Sequence, residues 1–236
     1  WLQYALDNFA TVGEAVEALR AEPFNVLAPA LPNGAPSTLH LSLSDASGDS
    51  AILEYVNGKL VIHHGKQYAV MTNSPIYSEQ LALNAYWESI GGLTFLPGTN
   101  RAADRFARAS FLLGAIPRAK DPNYIKGVPA QSFTFQAVAS VMSVMRAVSV
   151  PLGITTPDQP NISSTIWRTV SDQKNLVYYL DSATRPNTFW VSFERLDFKP
   201  GAPVKKLTIQ NGEVFSGEVT GDFKPAEPFK FLPATP

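Results

Sequence analysis

The chain has 236 residues, 45% hydrophobic and 17% charged, with a formal net charge of −1. Such a balance supports a core built by burial and excludes the basic footprint of a nucleic-acid binder. No apolar run reaches the roughly 20 residues a bilayer span needs, since Ala137 to Val150 is broken by Ser140, Ser143 and Arg146. The complete lack of cysteine removes disulfides, thiolate metal sites and any cysteine nucleophile from these residues.

Trp1, Tyr4 and Ala5 fall at i, i+3 and i+4, the spacing of an amphipathic element already under way, so the sequence is expected to begin inside a fold. Thr11-Val12-Gly13-Glu14 has the capping-box spacing and Val12, Val16 and Leu19 share a face, which predicts a helix over 12–21. Pro23, Pro29, Pro32 and Pro36 predict a loop, a candidate flank for a binding cleft. From Thr38 to Leu43 strict alternation predicts a half-buried strand, with Leu39, Leu41 and Leu43 opposite Thr38, His40 and Ser42. After a turn over Asp45–Ser50, Ala51–Val56 and Lys59–His63 flank Asn57-Gly58, a hairpin signal. Gln67–Thr72 reads as one more apolar strand, giving three or four antiparallel strands before Asn73.

The middle third is predicted helical over Ser78–Ile90, ending at Gly91-Gly92, then over Asn100–Leu113 and Ser132–Ser149. Phe106, Ala109 and Leu113 line one helix. Phe135, Val138, Met142, Met145 and Val148 line another, as a core stripe rather than a cofactor box. Strands return over Thr165–Val170, Asn175–Ser182, Thr188–Glu194 and Val204–Ile209, spaced as an antiparallel meander. Strands, helices, then strands predict a layered α+β domain of two packed sheets covered by helices, without internal repeat or linker. The Pro-rich tail from Lys224 to Pro236 reads as a strap or a frayed end.

Chemical signatures are few: no nucleophile elbow, phosphate loop, zinc-ligand spacing or dinucleotide fingerprint is present. His63 and His64 are adjacent on a strand and face opposite sides, so they cannot chelate one ion. His40 lies on the polar face of its strand without a local acid or serine turn to make a triad. Nothing singles out a carboxylate pair such as Glu54 with Asp181. Two places stand above this background. At Thr72-Asn73-Ser74-Pro75 an apolar stretch ends by presenting an amide, which either closes an Asx turn or donates to an oxyanion. At Leu96-Pro97-Gly98 the chain enters a helix with Arg101, Arg105 and Arg108 at i, i+4 and i+7, either a solvated stripe or a partner for a specific anion, since cations fit a helix N-terminus poorly.

Val70-Met71-Thr72-Asn73-Ser74-Pro75, followed by Leu96-Pro97-Gly98 and Arg105-Phe106, resembles the choloylglycine hydrolase family of bile salt hydrolases and penicillin V acylases. The opening Trp-Leu helix and the hairpin before Tyr55 are similar in particular to its Gram-negative branch. The likeness is strong over 1–113 and diffuse afterwards. It implies the four-layer αββα fold of N-terminal-nucleophile hydrolases, with residues 1–236 one domain forming the C-terminal portion and lacking the first strands. By the same resemblance Asn73 is the side-chain oxyanion donor and Arg105 the arginine that tunes the nucleophile. That nucleophile is a cysteine exposed as the first mature residue, whose α-amine serves as base, and it would lie upstream of Trp1 with its neighbouring Arg and Asp.

The implied reaction is hydrolysis of a linear amide through a thioester, with neither metal nor organic cofactor. Family substrates are conjugated bile salts, penicillin V and N-acyl homoserine lactones, and Tyr77, Tyr86 and Trp87 are candidates for the acyl pocket as well as for the core. A homo-oligomer, commonly a tetramer, and a periplasmic or secreted location are implied too. The competing readings are a noncatalytic binding or scaffold protein on the same fold, and a carboxylate-dependent glycosidase.

Overall fold

Helices α1 (Leu2–Asn8) and α2 (Val12–Arg20) open the chain, and the capping box forms from both sides. The Glu14 amide donates to Thr11 Oγ1 and the Thr11 amide to Glu14 Oε2, each at 3.2 Å. The Val12 amide, one of the donors a helix start leaves without an intrahelical partner, reaches Asp45 Oδ2 at 2.9 Å. The Ser47 hydroxyl and this amide hold the Asp45 carboxyl at about 2, below its ordinary 3.8. The computed structural model describes residues 1–27, 39–153 and 164–230. Pro29, Pro32 and Pro36 of the expected cleft loop, Thr38 and the last six residues of the expected strap lie outside the described residues.

The chain divides into two units, Trp1–Gly114 and Ala115–Pro236. In the first, β1 (His40–Ser44), β2 (Ser50–Val56) and β3 (Lys59–His64) form an antiparallel sheet in that order. Asn57 and Gly58 take φ of 51° and 76°, the left-handed pair a tight hairpin requires. Central strand β2 is buried on both faces, because successive side chains point to opposite sides. Ala51 and Leu53 join Leu41 against Val12, Val16 and Leu19 of α2, whereas Ile52 packs with Tyr77 and Phe106. Each such large aliphatic side chain contributes roughly 2 kcal/mol by leaving water.

Helices α3 (Tyr77–Ile90) and α4 (Ala102–Ala115) follow. Gly91, at φ 86°, caps α3, and Gly92 lies so close to α4 that a Cβ there would collide with the Phe111 ring. The strand expected over Gln67–Thr72 does not form. That stretch has no ladder partner, and its Tyr68, Val70 and Met71 pack instead onto Ile52, Tyr77 and Phe106. Among the described residues three strands therefore precede Asn73.

In the second unit α5 (Phe133–Ala147) precedes an antiparallel meander of β4 (Trp167–Asp172), β5 (Val177–Ser182) and β6 (Thr188–Ser192). Met142 and Val138 of α5 pack on Val170, Tyr179 and Trp190, so the helical stripe is core at its centre, while Phe135 and Met145 near its ends are each 37% exposed. The strand expected over Val204–Ile209 shrinks to β7 (Lys205–Lys206), because Leu207 and Ile209 turn in to cover Phe189 and Val191. The short strand β8 (Gly217–Glu218) lies parallel to β6, and β9 (Lys224–Pro225) pairs with β7. Buried Asp181 on β5 is bound by Arg146 Nε at 3.0 Å, Arg168 Nη1 at 2.8 Å and Thr188 Oγ1 at 3.2 Å. Desolvation raises its carboxyl, but the two guanidiniums and the Thr188 hydroxyl outweigh it and the net shift is downward.

Candidate active site

The Asn73 loop is built by side chains from β1, α3 and α4. Gln80, fully buried on α3, donates from Nε2 to the carbonyls of Thr72 at 2.9 Å and Pro75 at 2.6 Å, and its Oε1 accepts the Thr72 amide at 3.2 Å. One side chain thus replaces the ladder that Thr72 lacks. The Thr72 hydroxyl lies 2.9 Å from both Gln80 Oε1 and the Ala102 carbonyl, tying the loop to the start of α4. The Ser74-Pro75 peptide is cis.

Asn73 itself is exposed, and both its carbonyls are held. Its main-chain oxygen lies 2.8 Å from His40 Nε2, and its side-chain Oδ1 accepts from Arg105 Nη2 at 2.5 Å. A guanidinium can only donate, so the amide oxygen is the end turned toward Arg105 and the nitrogen is the end turned away from it. The Asn73 side chain is therefore presented as a donor, by a contact from another helix rather than by a local Asx turn.

Arg105 is half-buried and also donates from Nε to the Asn100 carbonyl at 3.1 Å. Burial, then the neighbouring Arg108 charge, moves its guanidinium below the ordinary arginine value. Arg108 donates to the carbonyls of Pro97 at 2.6 Å and Thr99 at 2.8 Å, fixing the turn that leads into α4. The arginine stripe is thus not a solvated face: Arg101 is exposed, but Arg105 and Arg108 are committed to specific acceptors.

Behind Asn73, His40 Nδ1 lies 2.7 Å from Glu54 Oε2, and Glu54 Oε1 accepts the Tyr77 amide at 2.8 Å. His40 and Glu54 are direct cross-strand partners on the face of the sheet away from α2. Desolvation, with the charges of Tyr68 and Glu54, pushes the Tyr77 phenol up to about 12. Tyr77 is 1% exposed and packs on His63, Tyr68 and Phe106, so it belongs to the core and not to an acyl pocket. Tyr86 is exposed beside Trp87, which stacks on Phe95.

Sequence reasoning found Asn73 and Arg105 separately; their direct bond, and the roles of Gln80, His40 and Glu54, come from the fold. The available signal was polar residues at core-facing positions, Gln80 and Asn84 on α3 and Glu54 within an apolar strand. His63 and His64 diverge as expected, His64 bonding Asp49 and His63 lying against tyrosines. Among the described residues no cluster of three or more His, Asp or Glu could hold a metal. Glu54 and Asp181, the pair considered for glycoside chemistry, are each occupied by local partners.

The family of linear amide C–N hydrolases described as the choloylglycine hydrolase family matches residues 1–204. Penicillin V acylase of Pectobacterium atrosepticum is 49% identical over 239 residues, covering 98% of this chain and 62% of that protein. The bile salt hydrolase/transferase of Clostridium perfringens is 32% identical over 137 residues, 49% of this chain and 41% of that protein. Among solved structures, penicillin V acylase from Agrobacterium tumefaciens aligns at 55% identity with a TM-score of 0.83, covering 98% of this chain and 68% of that one. A conjugated bile acid hydrolase variant from Clostridium perfringens, 23% identical with a TM-score of 0.63, covers 90% of this chain and 69% of that one and shares its fold. This chain thus spans 62% of the length of the curated Pectobacterium relative.

Proposed function

We propose a reading that proceeds from the family: this chain belongs to the choloylglycine hydrolase family of linear amide C–N hydrolases, and we infer that it is the larger, C-terminal part of a cysteine amidase. Its substrates are amphipathic N-acyl compounds, with penicillin V the first to test in view of the named relatives. The whole protein is read as an αββα N-terminal-nucleophile hydrolase with further strands upstream of Trp1, and the assembled enzyme as a periplasmic or secreted homo-oligomer.

The observation that carries the reading is the bond from Arg105 to Asn73 Oδ1. It leaves the exposed amide nitrogen as a fixed donor, the property an oxyanion site needs before the substrate arrives. An upstream cysteine, having passed its thiol proton to its own α-amine, attacks the amide carbonyl, and the oxygen that gains charge binds Asn73 Nδ2. Collapse expels the amine, protonated by the same α-amine, and water hydrolyses the thioester. Arg105, short of solvent, holds Asn73 and offers positive charge near the thiolate.

The test is to purify the protein in which this chain occurs, sequence its N-terminus, and assay penicillin V, conjugated bile salts and N-acyl homoserine lactones. The expected result is an N-terminal cysteine and hydrolysis of at least one class, abolished by thiol alkylation. A protein that starts at Trp1, or activity that survives alkylation, removes the reading. The first of those results favours a noncatalytic binding protein.

A further inference from the structure

His40 lies between two oxygen acceptors. Its Nδ1 is 2.7 Å from Glu54 Oε2, and its Nε2 is 2.8 Å from the main-chain oxygen of Asn73. A peptide carbonyl can only accept, and so can a carboxylate. With Glu54 as the carboxylate, both ring nitrogens must therefore carry a proton for both contacts to be hydrogen bonds. The side chains are 9% and 3% exposed, so water is poorly placed to substitute for either partner. Glu54 is in turn fixed by the Tyr77 amide, at the N-terminal turn of α3.

We propose that His40, oriented by Glu54, is a positioning residue for Asn73: as a doubly protonated imidazole it clamps the Asn73 carbonyl and sets where the side-chain amide points. This rests on the oxyanion role given to Asn73 above. Arg105 holds the amide end of the residue and His40 its main chain, so together they fix both ends of the donor. Neither contact touches substrate. Around the pair, the titratable groups are Tyr77 of α3, His63 on the neighbouring strand, whose ring packs on Tyr77, Tyr68, and Arg105 of α4 acting through Asn73.

The substitutions separate a clamp from a plain structural contact. His40→Gln supplies one amide that cannot span both acceptors, so Asn73 loses its hold; kcat should fall roughly ten- to a hundredfold, as displacements of about 1 Å do, with KM within about twofold. Glu54→Gln can donate to Nδ1 while still accepting the Tyr77 amide, which lets a neutral His40 keep its Nε2 proton on Asn73. That variant should retain kcat within about threefold, whereas Glu54→Ala, which leaves Nδ1 without a partner, should resemble His40→Gln.

The experiment is steady-state kinetics of the full protein and these variants, together with nitrogen-15 NMR of its histidine rings at neutral pH. With three histidines in this chain, single substitutions assign the His40 signals. The expected spectrum has protons on both His40 nitrogens in the parent and on Nε2 alone in Glu54→Gln. Wild-type kcat in a folded His40→Gln variant, or an unprotonated His40 Nε2 in the parent, would overturn the clamp while leaving the amidase reading intact. A parent protein that hydrolyses no linear amide overturns both. Should His40→Gln not fold, the Glu54 pair of variants and the parent spectrum still decide.

Discussion

Two buried carboxylates, each 3% exposed and each on the middle strand of an antiparallel run, end up in opposite situations. Asp181 is enclosed by Arg146, Arg168 and Thr188, so its charge is neutralised where it stands. Glu54 has one peptide amide and one histidine, and that histidine continues to the Asn73 carbonyl. The difference teaches that a buried acid is not by itself a mark of chemistry. What matters is whether its partners close the circuit or pass it on to an exposed group.

The sharpest way to break that contrast is at the exposed end. Asn73→Ala should reduce kcat at least about a hundredfold with little change in stability, since losing one oxyanion donor costs about 3 kcal/mol in the transition state; paired kinetic and urea-unfolding measurements check it. Asp181→Ala should do the reverse. It strands Arg168, which is mostly buried, beside a lost partner, and should cost about 3 kcal/mol of stability by urea unfolding while the folded fraction keeps its turnover. Changed turnover there would erase the distinction between the two acids.

Arg105→Ala frees the Asn73 amide to rotate and withdraws the charge assigned to the thiolate, so alkylation and turnover should both slow roughly tenfold, in line with a charge-assisted bond. Unaltered rates for both would return Arg105 to a purely structural place. The smallest effect is expected at Asp45, an acid nearer the surface whose carboxylate caps α2 and accepts from Ser47 in the turn after β1. Its folded value of about 2 lies below the ordinary 3.8, so its contribution is complete above about pH 4 and is lost as pH falls toward 2. Asp45→Asn should therefore lower Tm modestly at neutral pH, and the gap should close in that acidic window.

Much of this was legible from local pattern. Alternation around Leu41 and the Asn57-Gly58 turn located the hairpin, and the Thr11 to Glu14 spacing located a real capping box. Gln67–Thr72 misled because an apolar stretch reads alike whether it joins a ladder or only packs; here Gln80 supplies hydrogen bonds that a strand would have supplied. The residues around Asn73 were hidden for a related reason. Arg105 is 32 positions away and His40 is 33, and no spacing rule joins residues brought together only by tertiary packing.

One consequence of strand β2 being buried on both faces concerns the turn before it. Pairing of His40 with Glu54, and of Leu41 with Leu53, depends on the register set where Asp45 and Asp49 close around Gly48. A slip by one residue would turn His40 toward α2 and deliver a leucine beneath Asn73, because side chains alternate along a strand. The length of that small surface turn is thus a gear setting: lengthening or shortening it by one residue should silence the site without altering any residue in it.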